Sequence, residues 1–367
     1  MPRVMGIDPG TVSIDLCGLD DSELFFDQSL PTIEALAHPS ELLGLLENAR
    51  PLDLVVGPSG YGLPLIAARD LTETDLRLAF LAAEHESGGI GGLRSLVRML
   101  AGFPAPVVLT PGVVHLGSVP AHRKVNRVDM GTADKVCSAA LAIHEQGGRC
   151  ACDPREVSLI LLELGGAFSA AIAVRDGRIV DGAGGTSGPL GVRAAGALDG
   201  EVAFLAGSVS KEMLFAGGAG AIAGEPEAGA EVLAQTKTQR GRVAWEAFLE
   251  SAVKAVAAMA VSTPGAREVI LSGRFGRAPG VRDELARRLA GVISGASVYA
   301  LRGFAAAAKE GAQGAALIAD GLAEGACAAL VDVLGIREAR GTALDHLYVI
   351  SPAAARARLG IKPLCDA

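Results

Sequence analysis

The chain is short of aromatic side chains, with one Trp and three Tyr in 367 residues and aromatics only 4% of the total. A platform that stacks successive bases needs such rings in number, so single-stranded nucleic acid is not an expected ligand. A basic balance is missing too. The 33 Lys and Arg face 41 Asp and Glu, a formal net charge of −8, whereas a nucleic-acid partner calls for a basic face. Six cysteines are scattered, and the one close pair, Cys150 and Cys152, has neither a second pair nor a His at ligand spacing. Structural zinc is therefore not expected, and reduced thiols are. No basic segment followed by an apolar run opens the sequence, so no secretory leader is expected. The longest apolar run, 157–174, is broken by Glu163 and the Gly165-Gly166 pair. It reads as two strands and a hairpin turn, not as a membrane span. A cytoplasmic protein without membrane or nucleic-acid partners is the expectation.

What is present is a large folding capacity. Half of the residues are hydrophobic and a fifth are charged, and the length suits two domains. Strands are expected over 3–8, 13–19 and 24–28, then a helix over 39–48 and a strand over 52–56. Helices over 72–84 and 91–100 follow, the first opened by a Thr72-x-x-Asp75 capping box. A strand over 106–109, an irregular basic segment over 113–127 and a helix over 132–145 complete the string. The string then recurs. Strands are expected over 158–164, 168–175 and 178–180, a glycine-rich excursion over 182–229, a helix over 240–261 and a strand over 268–272. A helix over 280–289, a strand over 297–301 and an alanine-rich helix over 304–322 close it. Two copies of one element order imply a duplicated α/β unit.

The first copy opens on residues 6–15, Gly-Ile-Asp-Pro-Gly-Thr-Val-Ser-Ile-Asp. An apolar strand ends in Asp8 and turns through Pro9, Gly10 and Thr11. Gly10 has no Cβ, so a ligand can approach the backbone closely there. Successive N–H groups in such a turn form an anion-binding nest, to which Thr11 and Ser13 add hydroxyls. Asp8, at the mouth of the strand, is placed to hold Mg²⁺ through water. An ordinary Asp-Pro-Gly hairpin has the same residues, so this stretch alone leaves both readings open.

The duplicated string resembles the acetate and sugar kinase, heat-shock chaperone and actin superfamily, and within it the acetate/butyrate kinase branch. Over nearly its whole length the chain is similar to a family described as predicted butyrate kinases. That resemblance implies an α/β fold of duplicated ribonuclease H-like (actin-like ATPase) domains with a nucleotide cleft between them. Residues 1–127 would form the first domain and 128–322 the second, with 323–367 packing back on the first. It also implies ATP and Mg²⁺. Asp8-Pro9-Gly10-Thr11 resembles the first phosphate motif, with Asp where butyrate kinases carry Asn. Glu163-Leu164-Gly165-Gly166-Ala167 resembles the second, with Glu163 where Asp is usual and Glu163 a second candidate for the metal. Ser272-Gly273-Arg274-Phe275-Gly276 resembles the adenosine motif, Phe275 either packing on the base or filling the core. Asp129-Met130-Gly131-Thr132-Ala133-Asp134 resembles the first connecting motif. Here Met130 and Asp134 replace the His residues of acetate kinases, which removes a presumed transition-state donor. Residues 305–319 resemble the second connecting helix.

The reaction so implied is phosphorylation of a small, butyrate-like carboxylate to an acyl phosphate by in-line transfer. The acceptor is its own nucleophile and needs no general base, so what helps is a cationic clamp on the phosphoryl group. His122 and Arg123, beside Lys124, are the first candidates, then Arg193 and Arg274. The expected catalytic set is Asp8, His122, Arg123 and Arg193. Segments 182–193, a mobile loop offering Thr186 and Ser187, and 211–224 are candidate walls for the acceptor. His85, His115 and His144 read as structural. A homodimer is the candidate assembly. The rival functions are an actin-like ATPase serving as activator or sensor with no small acceptor, a nuclease with further acids converging on Asp8, and a binder without turnover.

Overall fold

Alternation along the first strand decides how its unit is built. In β1 (Arg3–Pro9), Met5 and Ile7 enter the main apolar core, while Gly6 and Asp8 face the helix Glu310–Leu322. The antiparallel return of β2 (Ser13–Asp20) sets Cys17 opposite Gly6 and Asp15 opposite Asp8, so both aspartates lie on the helix side. β3 (Glu23–Pro31), β4 (Leu54–Pro58), β5 (Ile66–Ala67) and β6 (Val107–Thr110) complete a sheet of order β3-β2-β1-β4-β6-β5. The computed structural model describes residues 2–83, 93–278 and 280–362. His85 and the start of the helix expected over 91–100 lie outside them, and that helix is described as Leu93–Ala101.

Contacts divide the chain into two compact units. One comprises Met1–Val128, Thr132–His144 and Gly303–Ala367, the other Asp129–Gly131 and Glu145–Arg302. The second is built on β7 (Leu159–Leu164), β8 (Ser169–Arg175), β9 (Arg178–Ala183), β10 (Glu268–Ser272) and β11 (Ser297–Ala300), in the order β11-β10-β7-β8-β9. In each unit the first three strands form an antiparallel meander, and two further strands join the first strand's other edge in parallel. The expected duplication is therefore present, with β5 as an addition to the first copy. In the second unit the helix Gln239–Ser262, capped by the Thr238 hydroxyl on the Gly241 amide, packs across β7, β8 and β9.

The capping box forms: the Thr72 side chain accepts from the Asp75 amide, and Asp75 accepts from the Thr72 amide, at the head of Glu73–Phe80. The alanine-rich helix starts at Glu310 and not at 304, and it packs on β1, β2 and β4 of the first unit. Gln313 accepts the amides of Phe304 and Ala305 at 2.7 and 3.1 Å, and Asp27 accepts those of Ala306, Ala307 and Ala308 at 2.8, 2.9 and 2.6 Å. Side-chain acceptors so placed compete with the helix for its first turn. Among the described residues no helix is long and apolar enough to cross a membrane.

His115 sits in the first unit with only 2% of its surface exposed. Burial pushes its imidazole down to about 4, against the pull of the Gly112 backbone and Asp345 and with that of Lys124. The unfolded chain, titrating near the ordinary 6.5, takes up a proton that the folded one refuses. Stability is accordingly expected to fall as pH drops from about 6.5 towards 4, by up to about 3 kcal/mol. Urea midpoints at pH 7 and pH 5 would show it, and His115→Gln should flatten the difference. An equal pH dependence in that variant would remove His115 as the cause.

Candidate functional site

Both units turn their first hairpin in the same way. The Gly10 amide donates to the Ser13 carbonyl at 2.9 Å, and the Gly165 amide donates to the Phe168 carbonyl at 2.9 Å. Each glycine comes two residues after a strand carboxylate, Asp8 in β1 and Glu163 in β7, so the two acids hold equivalent places. In the first unit Thr32 braces the turn: its hydroxyl donates to the Gly10 carbonyl at 2.7 Å, and its amide to the Val12 carbonyl at 3.0 Å. Thr11 and Val12 are exposed.

Asp8 stands among charges that are all in its own unit. Gly311 makes room for it, since a Cβ there would lie 2.3 Å from Asp8 Oδ2. Burial first, then the neighbouring Asp134 and Asp15, raise its carboxyl well above the ordinary range, and Lys135 and Lys309 pull it partly back. Asp134 goes the other way. Burial works against its charge, but Lys135, 2.5 Å from Oδ2, and the Thr132 hydroxyl on Oδ1 outweigh it. Ionisation is thus favoured at Asp134 and penalised at Asp8. Asp15 is fully buried; its Oδ2 accepts the Ser13 hydroxyl at 2.7 Å and lies 3.5 Å from Lys309 Nζ, while its Oδ1 has no hydrogen-bond partner. Lys309 also donates to Ser13 Oγ.

In the second unit the parallel register sets Ser272 beside Glu163. Gly273, at φ +78°, closes over the end of β7, where a Cβ would lie 2.6 Å from the Leu164 carbonyl. Ala167 is buried beyond Gly166, and its carbonyl accepts the amides of Arg193 and Ala194 at 3.2 Å each. Ser272 is buried and its hydroxyl has no partner.

The structure takes the second of the two places open to Phe275 and departs from other expectations about these residues. Phe275 belongs to the apolar core, 2% exposed, so its ring is not on offer to a base; Gly276 is buried with it, and Arg274 lies exposed beside them. Ser13 is buried, and its hydroxyl serves Asp15 and Lys309. Arg193 pairs with Glu227 at 2.7 Å on the surface. His122 and Arg123 are in the short helix Ala121–Lys124, and neither is among the charges that dominate Asp8. The loop 182–193 is pinned. Asp129 Oδ2 accepts the Thr186 amide and hydroxyl at 2.8 Å each, and its carbonyl accepts the Ser187 hydroxyl. Met130, in the connecting motif, is wholly buried.

Asp15, Lys309 and the Asp134–Lys135 pair are the residues that sequence reasoning left out of the site. Hairpin register held the signal for Asp15, seven residues after Asp8 across a four-residue turn. Lys309 is brought in by tertiary structure and has no local signature. The donor set suits a hard cation, being carboxylate oxygen beside a glycine turn whose missing Cβ leaves room for a ligand. Among the described residues no three His, Cys, Asp or Glu side chains could hold a metal by themselves, so Mg²⁺ here would complete its shell with water and phosphate oxygens.

The model of the family described as Protein of unknown function (DUF1464) matches residues 6–349. Among curated proteins none matches the chain in sequence. In structure it is similar to a propionate kinase from Francisella tularensis subsp. tularensis SCHU S4, at 12% identity and TM-score 0.62 over 86% of this chain and 98% of that one. It is likewise similar to acetate kinase from Porphyromonas gingivalis, at 14% identity and TM-score 0.58 over 86% and 98%. For acetate kinase from Entamoeba histolytica the values are 12% and 0.57 over 79% and 85%. The fold is thus the duplicated ribonuclease H-like α/β fold of these kinases.

Proposed function

We propose that this chain, which belongs to the DUF1464 family, is an ATP- and Mg²⁺-dependent phosphotransferase whose acceptor is a small, butyrate-like carboxylate. The observation that supports this reading most is the carboxylate-then-glycine turn repeated at the same sheet position in both units, Asp8 to Gly10 and Glu163 to Gly165. In it, the amides after Gly10 and Gly165 take phosphate oxygens, and Asp8 holds Mg²⁺ through water. Glu163 is the second candidate for the metal, its longer side chain suiting a water-mediated contact. The metal, when bound, neutralises phosphate charge and orients the phosphate chain. Asp134 with Lys135 keeps a fixed charge pair beside Asp8, and Gly273 keeps side chains clear of the end of β7. A carboxylate acceptor attacks in line and needs no base from the protein.

The test is conversion of ATP and butyrate, with propionate and acetate alongside, to ADP and an acyl phosphate trapped as its hydroxamate. One hydroxamate per ADP, lost on removing Mg²⁺, is the expected result. ADP release at a rate indifferent to any carboxylate would overturn the acceptor and favour the second reading, an ATPase that acts as activator or sensor. Two observations favour that second reading: Met130 is buried where acetate kinases carry a donor, and Arg193 is tied to Glu227.

A further inference from the structure

We propose that Lys309 is an anion-binding residue of the Gly10 turn, placed to take a phosphate group from solution. Lys309 Nζ donates to Ser13 Oγ, lies 3.5 Å from Asp15 Oδ2 and is 3.8 Å from where a Cβ on Gly10 would stand. At Gly10 the atoms nearest to an added Cβ are the Ser13 carbonyl oxygen, at 3.0 Å, and then the Lys309 ammonium, so a ligand resting on this half-buried glycine comes within reach of the cation. Thr11 and Val12 beside it are exposed.

A plain counter-ion for Asp15 would look different. Charge-assisted N–H···O contacts close to about 2.7–2.9 Å, and this one is longer. The lysine side chain is 42% exposed although Asp15 is fully buried, and Asp15 Oδ1 is left without any partner. An ammonium has three donors; Ser13 and Asp15 engage two at most, which leaves one for a ligand. The electrostatics require it as well. A phosphate entering beside Asp8 and Asp15 meets two carboxyl groups on one sheet face, and Lys309 is the cation on the Gly10 side that offsets them.

The fold also fixes the lysine's approach. Five consecutive amides, Phe304 to Ala308, are held by Gln313 and Asp27 immediately before Lys309, and Gln313 Nε2 returns a bond to the Ala308 carbonyl at 2.7 Å. The backbone ordering that a ligand would otherwise impose is already present. The proposal rests on the kinase reading only for which phosphate compound is bound. The chemistry of the site is that of any phosphate group, on a nucleotide or free.

Calorimetric titration of the full chain with pyrophosphate, with ADP and with Mg·ATP, each at low and moderate salt, tests it. Lys309→Met is expected to weaken binding by about tenfold or more and to flatten its salt dependence, with Lys309→Arg within a few-fold of the parent. As a second measurement on the unmutated protein, pyrophosphate should protect Lys309 from amine acylation, read by mass spectrometry. Equal affinities in parent and Lys309→Met, or unprotected acylation of Lys309 at saturating ligand, overturn the proposal. The two readings separate cleanly. Mg·ATP bound alike by parent and variant sinks Lys309 and leaves the kinase standing. Pyrophosphate bound through Lys309 with no affinity for nucleotides sinks the kinase and leaves Lys309 standing. A parent chain that binds none of the three ends both.

Discussion

Asp8→Asn is expected to reduce turnover by about a thousandfold or more while melting at a temperature no lower than the parent chain. The two halves of that expectation come from one environment. Asp8 is half-buried opposite Asp15 and near Asp134, and its carboxyl is raised well above the ordinary range by desolvation and by those two acids. Keeping it ionised at neutral pH therefore costs the fold, and Asn, of nearly the same shape, removes the cost. The sign with pH follows. Below about pH 4, where an ordinary Asp is already protonated in the unfolded chain, the variant should gain nothing. Its advantage should appear as pH rises from there and be complete above the raised value in the folded protein. Mg²⁺ reverses the comparison: a cation that binds only the folded parent raises its melting temperature, and the variant, lacking the carboxylate, should not respond. Turnover at the parental rate would strike Asp8 from the metal's ligands. A variant several degrees less stable than the parent at pH 7 would show the carboxylate to be a structural acceptor instead.

The fold was legible because its message is carried by periodicity. Met5 and Ile7 alternate with Gly6 and Asp8, 158–164 is an apolar run interrupted by Glu163, and each opens the same succession of strands and helices, so the duplicated order could be read without any sequence identity between the copies. The errors fell where tertiary partners override local preference. Residues 304–308 are mostly alanine and favour helix, yet Asp27, nearly three hundred residues away in sequence, and Gln313 claim their amides. The loop 182–193 is rich in glycine and reads as mobile, but Asp129 holds Thr186 and Ser187 from a segment more than fifty residues upstream.

The site divides the same way. The two glycine turns could be read because their chemistry is local: a carboxylate, a residue without Cβ and a hydroxyl within a few positions. The cationic side could not. Clusters such as His122-Arg123-Lys124 look chemical in a sequence, yet in the fold Lys124 is buried with Nζ on the Leu116 carbonyl at 3.0 Å, while the charges that govern Asp8 come from Asp15, Asp134, Lys135 and Lys309. Phe275 illustrates the converse, an aromatic in the right motif whose place is set by core packing.

Gly6→Ala should cost the first unit at least about 3 kcal/mol, a large share of a typical domain's stability and enough to appear as lost soluble yield. A Cβ at position 6 would stand 2.3 Å from both the Ala312 carbonyl oxygen and the Ala316 nitrogen. Both are backbone atoms of the helix Glu310–Leu322, buried from Glu310 to Gly321, so neither can swing aside as a side-chain tip would. The helix must move off the sheet or the sheet must bend. Gly44→Ala is the matched control, in the helix Pro39–Asn48, where an added Cβ meets nothing within 4 Å. The same change there should stabilise by roughly 0.5–1 kcal/mol, because alanine loses less conformational freedom on folding. Urea midpoints moving in opposite directions would locate the effect in packing and not in glycine as such. Any Gly6→Ala protein that does fold should also be a poor phosphate binder. The helix that must retreat carries Gly311 against Asp8 and has Lys309 as its N-cap residue, so distance from β1 at residue 6 becomes distance from the carboxylate two residues on. A variant with the parent's midpoint would mean that the helix and β1 are farther apart than these contacts state.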